Sequence, residues 1–166
     1  MRDDDYTRDL ELIKDAALSA GQIAMGYFRR AVRTWDKEPG HPVTEADIAV
    51  NTFLTEHLRG ARPDYGWLSE ETADGPDRLT RSRVFVVDPI DGTRAFMSGD
   101  PHFCVAIAVL EDGLPIASVV YAPVFDEMYE AVSGQGAYRN GMRIGAQPRQ
   151  SDVEMSRLIG ERSMFD

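Results

Sequence analysis

The sequence predicts an α+β fold in which two N-terminal helices pack on one face of a mainly antiparallel sheet. Three observations predict it. Apolar residues recur at helical period in two stretches, residues 9–33 and 44–58. From residue 83 onward, apolar runs of strand length follow one another. Those runs are punctuated by Asp112-Gly113 and Asn140-Gly141, dipeptides that close tight hairpins. Helices first and strands after is the pattern of segregated α+β layers.

In the first stretch Leu10, Ile13, Ala17, Ala20, Ala24 and Tyr27 form one apolar stripe. Residues 35–42 are polar, hold Pro39, Gly40 and Pro42, and read as a loop. The second helix opens at Thr44 and places Val50, Phe53, Leu54, His57 and Leu58 on one face, with His57 at the edge of the core. Residues 65–69 form a short strand that ends on Glu70-Glu71, and residues 72–83 a polar loop with Gly75 and Pro76. A strand over 83–88 precedes residues 103–110, an unbroken apolar run expected of a strand covered on both faces. Residues 116–121 and 127–132 continue the meander, and 137–139 and 142–144 flank Asn140-Gly141. Ser133-Gly134-Gln135-Gly136 is a turn and not a phosphate loop, because no strand leads from it into a helix. Residues 158–165 begin a further strand.

The 166 residues are 43% hydrophobic and 28% charged, as suits one globular domain and not a disordered chain. A net charge of −10 disfavours a nucleic acid polymer or an anionic membrane as partner. It does not disfavour a small phosphate ester, since bound cations reverse the local sign. Cys104, the single cysteine, lies in an apolar run and reads as an inert thiol. His41, His57 and His102 lack zinc spacing. The acidic start of the chain is not a signal peptide, and no apolar run reaches bilayer length, so a cytoplasmic protein is expected.

The chemistry concentrates in Val86-Val87-Asp88-Pro89-Ile90-Asp91-Gly92-Thr93. An apolar run delivers two carboxylates, a glycine and a hydroxyl to one strand end. Such carboxylates are costly unless a cation joins them. Hard cations such as Mg²⁺ take oxygen ligands and neutralise phosphate esters. Pro89 stiffens the turn between the acids, and the Ile90 carbonyl lies between them as a further oxygen. Gly92 lets the backbone approach a ligand, and Gly92-Thr93-Arg94 can open a helix towards an anion. Thr93 offers a hydroxyl to an attacking water. The bland reading of the same residues is a Pro-Gly turn with solvated acids. Two residues separate Asp88 from Asp91, whereas the Asp-x-Asp-x-Thr of aspartyl-phosphate phosphatases has one, which argues against that mechanism. Thr44 and Asp47 also fit a capping box, and Glu70-Glu71 also fit a solvated turn.

Val43-Thr44-Glu45-Ala46-Asp47, then Ser69-Glu70-Glu71, then Asp88-Pro89-Ile90-Asp91-Gly92-Thr93 resembles, in that order, the inositol monophosphatase superfamily. The resemblance covers nearly the whole chain. It implies the N-terminal part of a layered αβαβα sugar-phosphatase fold and a Mg²⁺-dependent, typically lithium-sensitive phosphomonoesterase with two or three ions, commonly a homodimer. It implies that Glu70 binds metal and helps hold the water, that Asp88 bridges two ions, and that the Ile90 carbonyl completes the first site. Asp91 then binds the second ion near the substrate, and Gly92 and Thr93 present backbone N–H groups to the phosphate. The Thr93 hydroxyl, paired with Asp47, orients or deprotonates the water. Lys37 falls in a segment similar to the family's mobile loop.

Asp91-Gly92-Thr93-Arg94-Ala95-Phe96, with Val119-Val120-Tyr121-Ala122-Pro123 and Met128-Tyr129, is similar to the 3′(2′),5′-bisphosphate nucleotidase branch of the CysQ type. Inositol monophosphate, histidinol phosphate and fructose 1,6-bisphosphate stay open as substrates within the superfamily. The family continues into a second subdomain that supplies another carboxylate and most substrate contacts. Residues 1–150 are therefore expected to form the metal-binding subdomain and residues 151–166 the start of a second, with the second metal site incomplete here. The alternative is a truncated, catalytically incompetent cation-binding or regulatory module.

Overall fold

The computed structural model describes residues 2–145. Helix α1 spans Arg2–Tyr27. A two-stranded hairpin follows, β1 Thr34–Glu38 and β2 His41–Thr44. Helix α2 spans Glu45–Ala61, and strand β3 spans Gly66–Ser69. After a 3₁₀ turn over Pro76–Thr80, strand β4 spans Arg83–Asp91 and helix α3 spans Thr93–Ser98. The remaining strands are β5 Cys104–Glu111, β6 Leu114–Ala122, β7 Glu127–Val132, β8 Gly136–Arg139 and β9 Met142–Ile144. Strands β3 to β9 form one sheet in sequence order, antiparallel throughout except for the parallel β3–β4 pair. This is the α+β architecture the periodicities predict.

The core lies between the two long helices and one sheet face. Ile13, Ala17, Ala20 and Ala24 of α1 and Val50, Leu54 and Leu58 of α2 are buried against Phe85, Val105, Ile107 and Val119. Small residues bring α1 close to the sheet. A Cβ on Gly21 would stand 2.5 Å from the Tyr121 ring, so only glycine fits there. The rings of Phe28, Phe96 and Phe103 meet with centroids 4.9–5.6 Å apart and fix α3 beneath the end of α1.

Three local expectations are corrected. Residues 35–42 are not a loop, because the hairpin β1–β2 occupies them. The first helix ends at Tyr27, short of residue 33. Strand β5 is not covered equally on both faces. Val105, Ile107 and Val109 are buried under the helices, whereas Cys104, Ala106, Ala108 and Leu110 on the other face are half-buried. The strand expected over residues 158–165 lies outside the described residues.

Candidate metal centre and active site

The sheet register brings the acids together. Ser69 of β3 lies beside Val87 of β4, and the Glu70 amide continues the pairing by donating to the Val87 carbonyl at 3.2 Å. Glu70 thus arrives beside Asp88. Strand β4 then carries a bulge: Asp88 lies opposite Ala106 and Asp91 opposite Cys104, so three steps on β4 match two on β5. In a regular strand, residues three apart face opposite sides. The extra residue keeps Asp88 and Asp91 on the same side, and Pro89, which has no N–H to give the ladder, sits at the irregularity. The strand therefore runs through the motif to Asp91, further than the sequence predicts.

Thr93 opens α3, with Gly92 before it at φ 90°. A Cβ at Gly92 would meet the His102 carbonyl at 2.8 Å, so glycine is required for both conformation and space. The Thr93 hydroxyl reaches the Ile90 carbonyl at 3.1 Å and Asp47 Oδ1 at 3.3 Å. The two readings of Asp47 hold together. Its Oδ2 accepts from the Thr44 amide at 2.9 Å and the Thr44 hydroxyl at 2.6 Å, completing the capping box, while Oδ1 faces Thr93. The α2 cap thus also delivers a buried carboxylate to the site.

Electrostatics mark the same place. Burial, with Glu70 and Asp91 nearby, pushes the Asp88 carboxyl up to about 7. Burial also raises Asp47, against the hydrogen bonds from Thr44 and Thr93. For Glu70, burial is outweighed by Lys37 and by the hydrogen bond it shares with Asp88, and its carboxyl lies below the ordinary value. Among the described residues no three His, Cys, Asp or Glu side chains are grouped closely enough to hold one metal ion as they stand. The donor set is open instead, with the Glu70 carboxylate drawn to the Lys37 ammonium at 2.9 Å. Oxygen donors of net negative charge, one of them forced towards its protonated form, fit a hard divalent cation.

The structure brings Asp47, Glu70, Asp88, Ile90, Asp91, Gly92 and Thr93 to one end of β3 and β4. It places Lys37 on β1 with its ammonium on both Glu70 and Glu71. A cavity of about 500 Å³ opens beside them, lined by His41, Glu70, Gly92, Thr93, Arg94 and His102 among others. Sequence reasoning missed the bracing of the acidic turn. Ser69 Oγ donates to Asn51 Oδ1 at 2.7 Å and accepts from the Glu71 amide at 3.2 Å, while Asn51 Nδ2 donates to Thr72 at 3.0 Å. A polar Asn51 beside Val50 and Leu54 on the buried face of α2 was the available signal. The Asp100–His102 pair, at 2.6 Å on the cavity rim, was missed as well. Cys104 is half-buried beside the site, its Sγ 3.7 Å from Asp91 Oδ2, and burial with that carboxylate pushes the thiol up to about 12, which keeps it inert as the sequence predicts.

Known proteins resemble this chain in sequence and fold. The family model described as "Inositol monophosphatase family" matches residues 5–164. A 3′(2′),5′-bisphosphate nucleotidase CysQ of Aggregatibacter actinomycetemcomitans is 35% identical over 136 residues, covering 81% of this chain and 51% of that protein. Inositol monophosphatase 1 of Solanum lycopersicum is 37% identical over 132 residues, covering 78% of this chain and 48% of that protein. The crystal structure of the extragenic suppressor protein suhB from Bartonella henselae superposes with a TM-score of 0.79 at 32% identity, covering 86% of this chain and 55% of that one. The chain spans about half the length of these relatives. The similarity to the CysQ-type branch is met by relatives of that name, alongside inositol monophosphatases at similar identity. With the motifs, the fold and the match over residues 5–164 in agreement, the chain belongs to the inositol monophosphatase family.

Proposed function

We propose that the protein is a Mg²⁺-dependent phosphomonoester hydrolase. The observation that carries this reading is the convergence of Glu70, Asp88 and Asp91, with Asp88 pushed up to about 7, beside the Thr93–Asp47 pair. Glu70, Asp88, the Ile90 carbonyl and Asp91 would hold the cations, two or three of them in the full family pattern. Held by these residues, Mg²⁺ would neutralise the ester oxygens and lower the pKa of a bound water. Gly92 and Thr93 receive the phosphate on backbone N–H groups. Thr93 Oγ accepts a proton from the water and passes its own to Asp47 Oδ1, a carboxylate whose burial makes it a better base. The water oxygen bonds to phosphorus, the ester bond breaks, and the alcohol oxygen departs with its electron pair. No covalent enzyme intermediate is needed.

The substrate we favour is a 3′(2′),5′-bisphosphate nucleotide over inositol monophosphate, supported by the Arg94-Ala95-Phe96 and Tyr121-Ala122-Pro123 segments and by the CysQ relatives. Lithium inhibition, a homodimer, a cytoplasmic location and a second subdomain beginning near residue 151 belong to the same reading. Among the described residues no helix is long and apolar enough to cross a membrane.

The test is phosphate release by the full-length protein from adenosine 3′,5′-bisphosphate and inositol 1-phosphate, with and without Mg²⁺, for wild type and Thr93→Ala. Loss of the proton relay should lower kcat by about 10²–10⁴-fold while leaving Mg²⁺ affinity nearly intact. A Thr93→Ala enzyme within a few-fold of wild type would reduce Thr93 to a helix-start residue. Mg²⁺ binding without turnover on any ester would favour a cation-binding module.

A further inference from the structure

The β1–β2 hairpin is a two-stranded sheet separate from the main one, and β1 is exposed along its length. Two contacts tie it across the cavity. On one side Lys37 Nζ donates to Glu70 Oε1 at 2.9 Å, to the Glu70 carbonyl at 3.2 Å and to Glu71 Oε1 at 2.7 Å. On the other side Arg94 Nη2, from α3, donates to the carbonyl of Gly40 at the hairpin tip, at 2.6 Å. The partners of Lys37 differ in kind. The Glu71 side chain is 5% exposed, that of Glu70 49%. Glu71 is thus a fixed anchor, while Glu70 faces the cavity and is the carboxylate that an incoming cation can take.

We propose that Arg94 is a positioning residue: by pinning the hairpin tip it holds the Lys37 ammonium on Glu70, where Lys37 competes with a divalent cation for that carboxylate. This rests on the reading of Glu70 as a cation ligand. An ammonium has three donors, and all three are engaged here. Cation binding removes the bond to Oε1 and leaves those to Glu71 and to the Glu70 carbonyl, so the hairpin stays docked while the acid changes partner. Arg94 enters this exchange through the hairpin, because its guanidinium donates to the Gly40 carbonyl and not to an acid of the site. Its role is therefore separable from that of a nearby positive charge.

The experiment is a double-mutant cycle on the full-length protein, read by Mg²⁺ calorimetry and by hydrogen exchange of the amides over residues 34–44. Both side chains lie near the surface, so the variants are expected to fold. Lys37→Met should tighten Mg²⁺ binding by roughly fivefold, the upper size of a half-exposed ion pair. Arg94→Ala should tighten it by roughly threefold in wild type and not at all in the Lys37→Met background. It should also speed hairpin exchange by roughly fivefold, as loss of a charge-assisted bond at an exposed tip allows. Effects of Arg94→Ala and Lys37→Met that simply add would make Arg94 an independent surface charge and overturn the proposal, as would unchanged hairpin exchange. Wild-type protein that binds no Mg²⁺ would overturn the cation reading itself, and this inference with it.

Discussion

Asp88 bears the heaviest electrostatic load of the site, and the sign of its consequence is definite. Its carboxyl is raised from 3.8 to about 7, first by burial and then by Glu70 and Asp91. Between those values the folded state keeps a proton that the unfolded chain has released. Without metal, stability therefore falls as pH rises from about 4 to 7, by at most about 1.4 kcal/mol per pH unit, and levels off above. Denaturant titrations in EDTA across that range check this, and a profile flat or rising from pH 5 to 7 would contradict it. Mg²⁺ binding near pH 6 should expel the same proton, seen as a calorimetric enthalpy that depends on the buffer. At this scale the sequence was most legible. Asp88, Ile90, Asp91, Gly92 and Thr93 fall within six consecutive residues, so their arrival at one strand end was legible, whereas the bulge that turns Asp88 and Asp91 to one side was not. Glu71 as the buried anchor of Lys37, and Arg94 as the partner of Gly40, were not legible, since each depends on where a separate hairpin lies.

Among the elements, α1 is fastened to the sheet by a polar cluster far from the motif. Asp9, 1% exposed, accepts from Arg62 at 3.1 Å, from Arg83 at 3.0 Å and from the Tyr65 hydroxyl at 2.8 Å. Arg83 also reaches Glu111 at 2.9 Å. Asp9→Asn removes the charge that balances two arginines, and should destabilise the fold by about 3 kcal/mol, as breaking a buried pair does. Denaturant midpoints read this, and Mg²⁺ affinity should change little. A loss under about 0.5 kcal/mol, the range of ordinary surface changes, would show that the cluster is not a fastening. Nothing in the sequence marks Asp9, because its partners lie 53 to 74 residues away. The helices themselves were legible from their stripes. The hairpin β1–β2 was not, since β1 is wholly exposed and carries no alternation, and Pro39, Gly40 and Pro42 read as loop chemistry. The parallel β3–β4 pairing was also hidden, because four residues cannot declare a direction.

At the scale of the fold, helices among the described residues cover one face of a seven-stranded sheet, and the candidate site forms where β3 and β4 end beside the caps of α2 and α3. The order of these layers was legible because strand runs, Asp112-Gly113 and Asn140-Gly141 punctuate the chain at regular intervals. The unequal cover of β5 was not, since Ala106, Ala108 and Leu110 are as apolar as the residues that face the helices. The proposed chemistry depends on the cation. Isothermal titration of Mg²⁺ into the full-length protein at pH 7.5, for wild type and Asp88→Asn, tests it most directly. Wild type should bind saturably, and Asp88→Asn should lose more than about tenfold in affinity, since losing a ligand should exceed the loss of a supporting residue. Equal Mg²⁺ affinity in the two proteins would contradict the proposed chemistry.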